Sequence, residues 1–356
     1  MIERVLDGRT VCICAGSGGV GKTTTAAAIG LGMAARGRRV AVLTIDPARR
    51  LADALGLTEL GNEARLVDAG AEGELWALTL DAKRTFDELV ELHAPDAATR
   101  DAVLGNRIYQ ELSRAVAGSQ EYMAMEKLYD LHHEGGFDLL VLDTPPTRSA
   151  LDFLDAPADL TAFIDSRTFR VLTAPTRFGM RLFGRGGGLA LSALERATGV
   201  RLLQDLSEFF TSFGTMSEGF RRRADAVDRL LAGDDTSFVL VTAPRRDAVE
   251  EAIFFRERLD EAGMPFGGVV ANRVHAIPAE ATAAGLAGPL GEELARRVEA
   301  DLGDQRRLSE RDRRTLAALR RLLSGRPMIQ IPELDRDVHD LDGLRALEPH
   351  LFGGAA

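Results

Sequence analysis

The sequence predicts an α/β fold with a mainly parallel sheet, helices on both faces of that sheet and an inserted helical subdomain. Short apolar, β-branched runs alternate with helix-forming stretches along the chain, which is typical of parallel strands buried on both faces. In addition, residues 16–23 read Gly-Ser-Gly-Gly-Val-Gly-Lys-Thr, a G-x-x-x-x-G-K-T pattern that stands between the first such run and a helix.

Seven apolar runs are the predicted strands, in chain order. They are residues 10–15, 40–45, 75–80, 137–142, 237–242, 267–272 and 327–331. Residues 24–35 are rich in Ala, Leu, Ile and Met and predict a helix, and residues 81–134 read as mostly helical. Because ligands bind beyond the carboxyl ends of the strands in such a sheet, we expect the chemistry in the loops that follow them.

The Gly-rich loop predicts a P-loop NTPase fold. Its glycines let backbone N–H groups curl around a phosphate, Lys22 adds a compact positive charge, and the Thr23 hydroxyl can ligate Mg²⁺. Lys occurs only at positions 22, 83 and 127, against 41 Arg, so a Lys at this place indicates a role that a planar guanidinium does not fill. The predicted phosphate-binding residues are Gly18, Gly19, Val20, Gly21, Lys22, Thr23 and Thr24.

Two aspartates follow predicted strands. Asp143 ends the run 137–142 in a Walker B pattern, and a carboxylate there predicts a contact to the Mg²⁺ shell through water. The loop 144–147 that comes next would order with ATP and relax with ADP. Asp46 opens the segment Asp-Pro-Ala-Arg-Arg after the second strand. It either positions the attacking water or only forms a turn before a proline.

Residues 157–230 differ from the rest of the chain. They hold 11 Arg against 8 acidic residues, and 8 of the 16 Phe. We interpret them as a helical subdomain inserted into an ATPase core made of residues 1–156 and 231–356. Within it, one predicted helix face carries Leu202, Leu203, Leu206, Phe209, Phe210 and Phe213. That face either packs on the sheet domain or forms an apolar surface for a partner, and the neighbouring arginines also suit an anionic membrane surface.

Composition narrows the class of protein. The chain has 356 residues, 45% apolar and 28% charged, and a net charge of −10, which argues against general nucleic-acid binding. Cys12 and Cys14 share one face of the first strand and read as small buried hydrophobes, and the lack of a C-x-x-C pair predicts no zinc site. With no signal segment and no long apolar run, we expect a cytoplasmic protein, or one peripheral to a membrane.

Together these motifs resemble the deviant-Walker ATPases of the ArsA family. That family includes the arsenite-efflux ATPase and the eukaryotic tail-anchored-protein targeting ATPase, and the MinD-like partitioning ATPases are its nearest confusable relatives. The resemblance rests on the loop 16–24, on the segments 46–53 and 143–147, and on later motifs at 270–273 and 331–334. It therefore spans about residues 10–350, nearly the whole chain.

The resemblance also implies residue roles. Asp46 is the water-activating residue of switch I, Asp143 begins switch II, and Asn272 contacts adenine, with Pro332 in the other nucleotide-binding motif. For Asn272 a simpler interpretation, a cap at the end of its strand, stays open.

Three departures from the family pattern stand out. The signature lysine, which in the family reaches across a dimer to the partner's phosphates, is Ser17 here. Hydrolysis is then slow, or an arginine such as Arg49, Arg50 or Arg148 compensates, or a lysine-bearing paralogue pairs with this chain. The metalloid-binding cysteines of the arsenite pump and the zinc staple of the eukaryotic dimers are also missing.

The sequence therefore predicts a Mg-dependent ATP hydrolase that acts as a dimeric nucleotide switch. ATP or ADP and Mg²⁺ are the expected cofactors. The expected partners are a second ATPase protomer, identical or a lysine-bearing paralogue, and a membrane protein client. The alternatives are the energising subunit of an anion pump and a weakly hydrolysing regulatory or scaffold protein that binds ATP.

Overall fold

A computed structural model describes residues 1–46, 48–115, 119–145, 147–166, 202–278 and 280–353. The chain divides into two compact units. The sheet unit consists of Met1–Thr79, Leu131–Leu151 and Leu231–Ala356, and the helical unit consists of Leu80–Asp130 and Asp152–Leu230.

One sheet of eight strands organises the sheet unit. The strands are β1 Val11–Ala15, β2 Arg39–Thr44, β3 Arg65–Val67, β4 Glu74–Thr79, β5 Leu139–Asp143, β6 Thr236–Thr242, β7 Phe266–Val274 and β8 Met328–Pro332. Their spatial order is β3-β4-β2-β5-β1-β6-β7-β8, and all neighbours pair in parallel except β3 and β4. The predicted α/β class with a mainly parallel sheet is confirmed.

All seven predicted strands are present, and β3 is an addition. It has three residues, pairs antiparallel with β4 at one edge of the sheet, and leaves the side chain of Leu66 half exposed. A short edge strand of this kind carries no continuous apolar run, so the sequence pattern does not reveal it.

The register of the central strands determines where the site lies. Cys14 of β1 and Thr44 of β2 both stand opposite Asp143 of β5. The carboxyl ends of three neighbouring strands are thus level, and β5, the middle one of the three, is buried along its full length. Polar side chains at these three ends are therefore within reach of one another.

Helices cover the sheet and form the second unit. In chain order the described helices are Ile2–Val5, Lys22–Ala34, Arg50–Ala54, Ala82–His93, Ala97–Leu104, Arg107–Ala115, Ser119–Glu134, Thr147–Asp165, Leu202–Ala232, Arg246–Glu261, Ala283–Leu290, Glu292–Arg321 and Leu341–Glu348, followed by a π-helical turn at Pro349–Gly353. The helix Lys22–Ala34 is rich in alanine and almost wholly buried, because small side chains let it pack closely on the sheet. No helix within these residues has the length and apolar character needed to cross a bilayer.

An aromatic cluster forms the core of the helical unit. Phe209, Phe213 and Phe220 of the helix Leu202–Ala232 are buried, with ring centroids 5.5 Å apart between the first two and 5.0 Å between the last two. The cluster continues to Phe86 and Tyr109, which stack at 5.4 Å. These phenylalanines thus pack against helices that the sequence analysis assigned to the ATPase core of residues 1–156 and that belong by their contacts to the helical unit. Leu202, Leu203 and Leu206 lie outside the described side chains.

A buried ion pair holds two helices of this unit together. Arg223 donates from Nε to Glu126, 2.6 Å away, and Glu126 has no solvent exposure. The same guanidinium contacts Asp130 and lies over the ring of Tyr129. Tyr122 also donates to Glu126, so the charge is paired and hydrogen-bonded, as burial demands.

The predicted boundary of the inserted subdomain, residues 157–230, stays a prediction. By its contacts, the helical unit contains residues 80–130 as well as 152–230. The segment 167–201 lies outside the described residues, and it carries four arginines that neighbour phenylalanines in the sequence, Arg170, Arg177, Arg181 and Arg185.

Candidate functional site

The loop between β1 and the helix Lys22–Ala34 has a backbone that requires glycine at three positions, Gly16, Gly19 with φ +74°, and Gly21. A Cβ on Gly16 would lie 2.0 Å from the carbonyl oxygen of Val241 in β6. Gly21 has φ +91°, and a Cβ there would lie 2.3 Å from Nδ2 of Asn272. Gly18 and Gly19 are exposed at the tip of the loop. The close approach of β6 and of Asn272 thus keeps Gly16 and Gly21 free of side chains, and a Gly-rich loop of this kind can turn its backbone N–H groups toward an anion.

Lys22 begins the helix and turns back over the loop. Its ammonium donates to the carbonyl oxygen of Ser17 at 2.9 Å, and the residue is only 8% exposed. Burial lowers the pKa of Lys22, while the nearby carboxylates of Asp143 and Asp46 act in the opposite direction. A buried cation that closes the loop through one carbonyl oxygen is well placed to exchange that contact for phosphate oxygens. Thr24 follows in the first turn of the same helix.

Asp143 is the centre of a small hydroxyl network. Its Oδ2 accepts from the hydroxyls of Thr23 at 2.7 Å and Thr44 at 2.9 Å. The residue is 1% exposed, and its Oδ1 is buried without a hydrogen-bond partner among the described residues. Burial raises the pKa of Asp143 to about 6, although the two hydroxyls and Lys22 favour the charged form.

This donor set fits a Mg²⁺ ion bound together with phosphate. Thr23 would ligate the ion through its hydroxyl, and the orphaned Oδ1 of Asp143 would accept from a water of its shell, because Mg²⁺ keeps several waters. In the described part of the chain, no group of three or more His, Cys, Asp and Glu side chains could hold a metal without phosphate.

Replacing Asp143 by Asn is expected to stabilise the fold and to lower the ATPase rate. The pKa of Asp143 lies above its value of 3.8 in an unfolded chain, so above about pH 6 the buried charge costs the folded state about 1 to 3 kcal/mol. An asparagine side chain at this position would keep an acceptor for both threonines without the charge. In Asp143→Asn we expect a higher free energy of unfolding in denaturant titrations without nucleotide, and a Mg-dependent ATPase rate lower by about 10- to 100-fold.

The matched control is Asp68→Asn, which removes an exposed carboxylate from the same unit. It is expected to leave the free energy of unfolding within about 0.5 kcal/mol of the wild type. A less stable Asp143→Asn protein would contradict a destabilising role for the buried charge.

Asp46 lies two residues beyond the end of β2. Its amide donates to the hydroxyl of Thr44 at 3.2 Å, its Oδ1 accepts from the amide of Ala48 at 2.9 Å, and its Oδ2 stands 3.9 Å from a guanidinium nitrogen of Arg50. The carboxylate therefore forms the turn expected of an Asp at this place, and it remains one-third exposed. Pro47 lies outside the described residues. The water-positioning role stays a prediction.

Asn272 joins the end of β7 to the phosphate loop. Its Nδ2 donates to the carbonyl oxygen of Val20 at 2.9 Å, and its Oδ1 accepts from the amide of Arg273 at 3.0 Å. The sequence does not predict the first contact, and the second is the local cap of the simpler interpretation. Pro332 ends β8 and pairs with Val274 across a register irregularity. The adenine contacts of Asn272 and Pro332 stay predictions.

Ser17 is turned into the protein. It is 6% exposed, and its hydroxyl has no hydrogen-bond partner within the part of the chain that the structure describes. Of the arginines named from the sequence as substitutes for the missing cation, Arg50 faces the carboxylate of Asp46 and is largely exposed, and Arg49 is exposed. The side chain of Arg148 lies outside the described residues.

Sequence reasoning missed Thr44. This last residue of β2 donates to Asp143 and accepts from the amide of Asp46, so it connects the two candidate carboxylates. A hydroxyl residue at the carboxyl end of a strand was the available signal, but its importance follows only from the pairing of β2 with β5.

Comparison with known proteins finds a matching family model and several similar relatives. A family model described as Anion-transporting ATPase matches residues 9–285, which include every predicted site residue except Pro332. The chain is 32% identical over 180 residues to "ATPase get3" of Aspergillus terreus, a match that covers 49% of the chain and 50% of the relative. It is 27% identical over 275 residues to "ATPase GET3" of Chaetomium globosum and 26% identical over 275 residues to "ATPase get3" of Neurospora crassa, covering in both cases 77% of the chain and 76% of the relative. The chain thus spans half of the first relative's length and about three quarters of the other two.

Proposed function

The chain belongs to the ArsA family of anion-transporting ATPases, and on that premise we propose that it is a Mg-dependent ATP hydrolase acting as a dimeric nucleotide switch, which couples hydrolysis to a membrane-related client or transport process. The observation that carries the proposal is the network at Asp143. A buried carboxylate with one orphaned oxygen accepts from the threonine that follows the P-loop lysine. This is the arrangement required to hold a hydrated Mg²⁺ against nucleotide phosphates.

The proposed chemistry is in-line attack of water on the γ-phosphorus. A bond forms from the water oxygen to phosphorus, and the bond from phosphorus to the bridging oxygen of ADP breaks. One hydrogen of the water stays on the released phosphate, and the other leaves as a proton to solvent. Lys22 and the loop amides stabilise the charge that spreads over the phosphoryl oxygens. Asp46 accepts a hydrogen bond from the attacking water and orients it. The Thr23 hydroxyl and the carboxylate of Asp143, through water, would hold Mg²⁺, which would supply positive charge to the phosphates.

Chain connectivity supports the switch. Asp143 leads directly into residues 144–147, which run into the helix Thr147–Asp165, and most of this helix belongs to the helical unit. Asp46 begins the segment that leads to the helix Arg50–Ala54. Because both segments start at carboxyl ends of adjacent strands, loss of the γ-phosphate would change their order together.

The proposed partners are a second ATPase protomer and a membrane protein client. The buried Ser17 supports the first, because a loop without the signature lysine relies on another source of positive charge, in a lysine-bearing paralogue or in an arginine of an identical copy. The relatives named ATPase GET3 and the family resemblance support the second. Association with the periphery of a membrane would follow from such a client.

The direct test is phosphate release by the purified chain with Mg²⁺ and with EDTA, together with its mass in solution with and without ATP. Lys22→Ala is the matched control. We expect Mg-dependent release above the rate of this control and a doubling of mass with ATP and Mg²⁺. A wild-type rate equal to that of Lys22→Ala would overturn the enzymatic proposal.

Two alternatives rest on particular observations. Ser17, buried and without a partner among the described residues, favours a regulatory or scaffold protein that binds ATP and hydrolyses it weakly, and this function requires nucleotide binding without turnover. The family description, Anion-transporting ATPase, favours the energising subunit of an anion pump. Stimulation of the hydrolysis rate by oxyanions would favour the pump over the switch.

A further inference from the structure

A histidine lies between two carboxylates close to the predicted base-binding residues. His275 follows β7 directly. Its Nδ1 is 2.6 Å from Oδ2 of Asp312, on the helix Glu292–Arg321, and its Nε2 is 3.2 Å from Oε2 of Glu333, which follows β8. The backbone amide of His275 also donates to Oδ2 of Asp312 at 2.9 Å. None of these three residues has a part in the phosphate chemistry proposed above.

Asp312 is the fully buried member of this cluster. It has no solvent exposure, although the helix segment around it reads Ser-Glu-Arg-Asp-Arg-Arg and is otherwise largely solvent-facing. Its Oδ2 accepts both His275 donors, and its Oδ1 stands 3.4 Å from Nη2 of Arg311. A fully buried carboxylate is costly unless it is paired, so these contacts are stronger than those of a surface ion pair.

The imidazole therefore acts as a bridge. Both of its neighbours are carboxylates, and each ring nitrogen lies within 3.2 Å of one of them, Nδ1 beside Asp312 and Nε2 beside Glu333. Glu333 has a second contact to the end of β7, because its backbone amide donates to the carbonyl oxygen of Val274 at 3.1 Å. The ends of β7 and β8 are thereby joined to each other and to the helix Glu292–Arg321.

The backbone at this place needs such support. Arg273 has φ +57°, an unusual conformation for a residue with a side chain, and the register of β7 against β8 is irregular between Ala271 and Val274. A left-handed residue of this kind costs about 1 kcal/mol or more and persists only where its surroundings hold it. The same turn directs Asn272 toward the phosphate loop, through the contact to Val20.

We propose that His275 is a positioning residue for the nucleobase. Through Asp312 and Glu333 it fixes the ends of β7 and β8. His275 lies three residues after Asn272 and Glu333 lies one residue after Pro332, so the cluster holds Asn272 and Pro332 in place against the base. This inference rests on the function proposed above and adds to it a separation of roles. The loop 16–24 determines affinity for the phosphates, and the cluster of His275, Asp312 and Glu333 determines the further affinity that the nucleoside contributes.

The test compares the binding of ADP and of inorganic tripolyphosphate, each with Mg²⁺, by calorimetry on the whole chain. We expect His275→Ala to weaken ADP binding by about tenfold while tripolyphosphate binding stays within about twofold of the wild type. His275→Asn, which keeps a donor on the Nδ1 side, is expected to recover part of the loss. Glu333→Ala, a change at a half-exposed side chain that leaves the buried pair intact, is expected to weaken ADP binding by about threefold.

The matched control is His132→Ala. His132 is also half-buried, lies in the same unit, and is hydrogen-bonded at 3.0 Å to Thr10, at the opposite end of β1 from the phosphate loop. Both affinities are expected to stay unchanged in this variant. A positioning role moves the ADP affinity alone, whereas a general loosening of the unit lowers both affinities and the free energy of unfolding.

Three results would overturn the inference. An ADP affinity in His275→Ala equal to that of the wild type would show that the bridge positions nothing. An equal loss of ADP and tripolyphosphate affinity in His275→Ala and Glu333→Ala would show a general structural effect. A wild-type protein that binds neither ADP nor tripolyphosphate would overturn both this inference and the nucleotide role proposed above, and only that result involves the unsubstituted chain.

Discussion

Lys22→Arg is expected to lower the rate of ATP hydrolysis by about a hundredfold or more, close to the effect of Lys22→Ala. The ammonium of Lys22 is buried and closes the loop on the carbonyl oxygen of Ser17. A guanidinium carries the same charge but is planar and larger, with five donors in a fixed fork, and a loop built around one point donor does not accommodate it. Conserving the charge therefore does not conserve the function.

The chain supplies its own control for this experiment. Only two other lysines exist, and Lys83 forms a partly exposed ion pair with Asp87 in the helical unit. Lys83→Arg is expected to leave the rate of phosphate release unchanged within about twofold, because an exposed ion pair tolerates either cation. A Lys22→Arg protein with the wild-type rate would mean that the loop needs only a positive charge, and the compact shape of the ammonium would then have no part in catalysis.

Local patterns explain why the sheet and the phosphate loop were predictable. A strand buried on both faces is an uninterrupted apolar run, as in Val11–Ala15, and it can be read without knowing its neighbours. The glycines of the loop are required by backbone conformation and close approach at the loop itself. The strand Arg65–Val67 has neither signal, since its pairing at a sheet edge depends on β4 and not on its own residues.

The remaining parts of the site depend on contacts between distant segments. The bond from Asn272 to Val20 joins residues 252 positions apart, and the importance of Thr44 follows from the pairing of β2 with β5. In the sequence, Asp312 is one charge among many on a charged helix, yet the fold buries it completely beside His275. Such roles require the strand order and the helix placement, which no local periodicity contains.

The phenylalanines of the helical unit illustrate the same limit. Their helical spacing correctly predicts an apolar face, and the pattern does not specify what covers it. The structure places Tyr109 against Phe209 and Phe86 against Phe220, and both of these partners come from helices much earlier in the chain. The sequence predicts only that residues 81–134 are mostly helical, so it does not identify this partner.

Asp46→Asn is expected to lower the rate of ATP hydrolysis by about a hundredfold or more while leaving ATP binding nearly unchanged. The asparagine keeps an oxygen that can accept from the amide of Ala48, so the turn after β2 persists. It loses the negative charge that holds and polarises the attacking water, and that interaction is made mainly in the transition state. The measurements are single-turnover phosphate release and the dissociation constant of ATP with Mg²⁺.

Comparing two substitutions at this position separates its two roles. Asp46→Ala removes both the charge and the turn contact to Ala48, whereas Asp46→Asn removes the charge alone. Equal losses of rate in the two variants would assign the effect to the water, and a loss confined to Asp46→Ala would reduce Asp46 to a turn former. Asp53→Asn, at an exposed position of the same segment, is the matched control and is expected to keep the wild-type rate. Thr44 contacts Asp46 through the backbone amide, which asparagine keeps, and Thr44 in turn donates to Asp143. The substitution Asp46→Asn therefore leaves the residues proposed to hold Mg²⁺ in place, and the ATP-dependent change in mass is expected to persist.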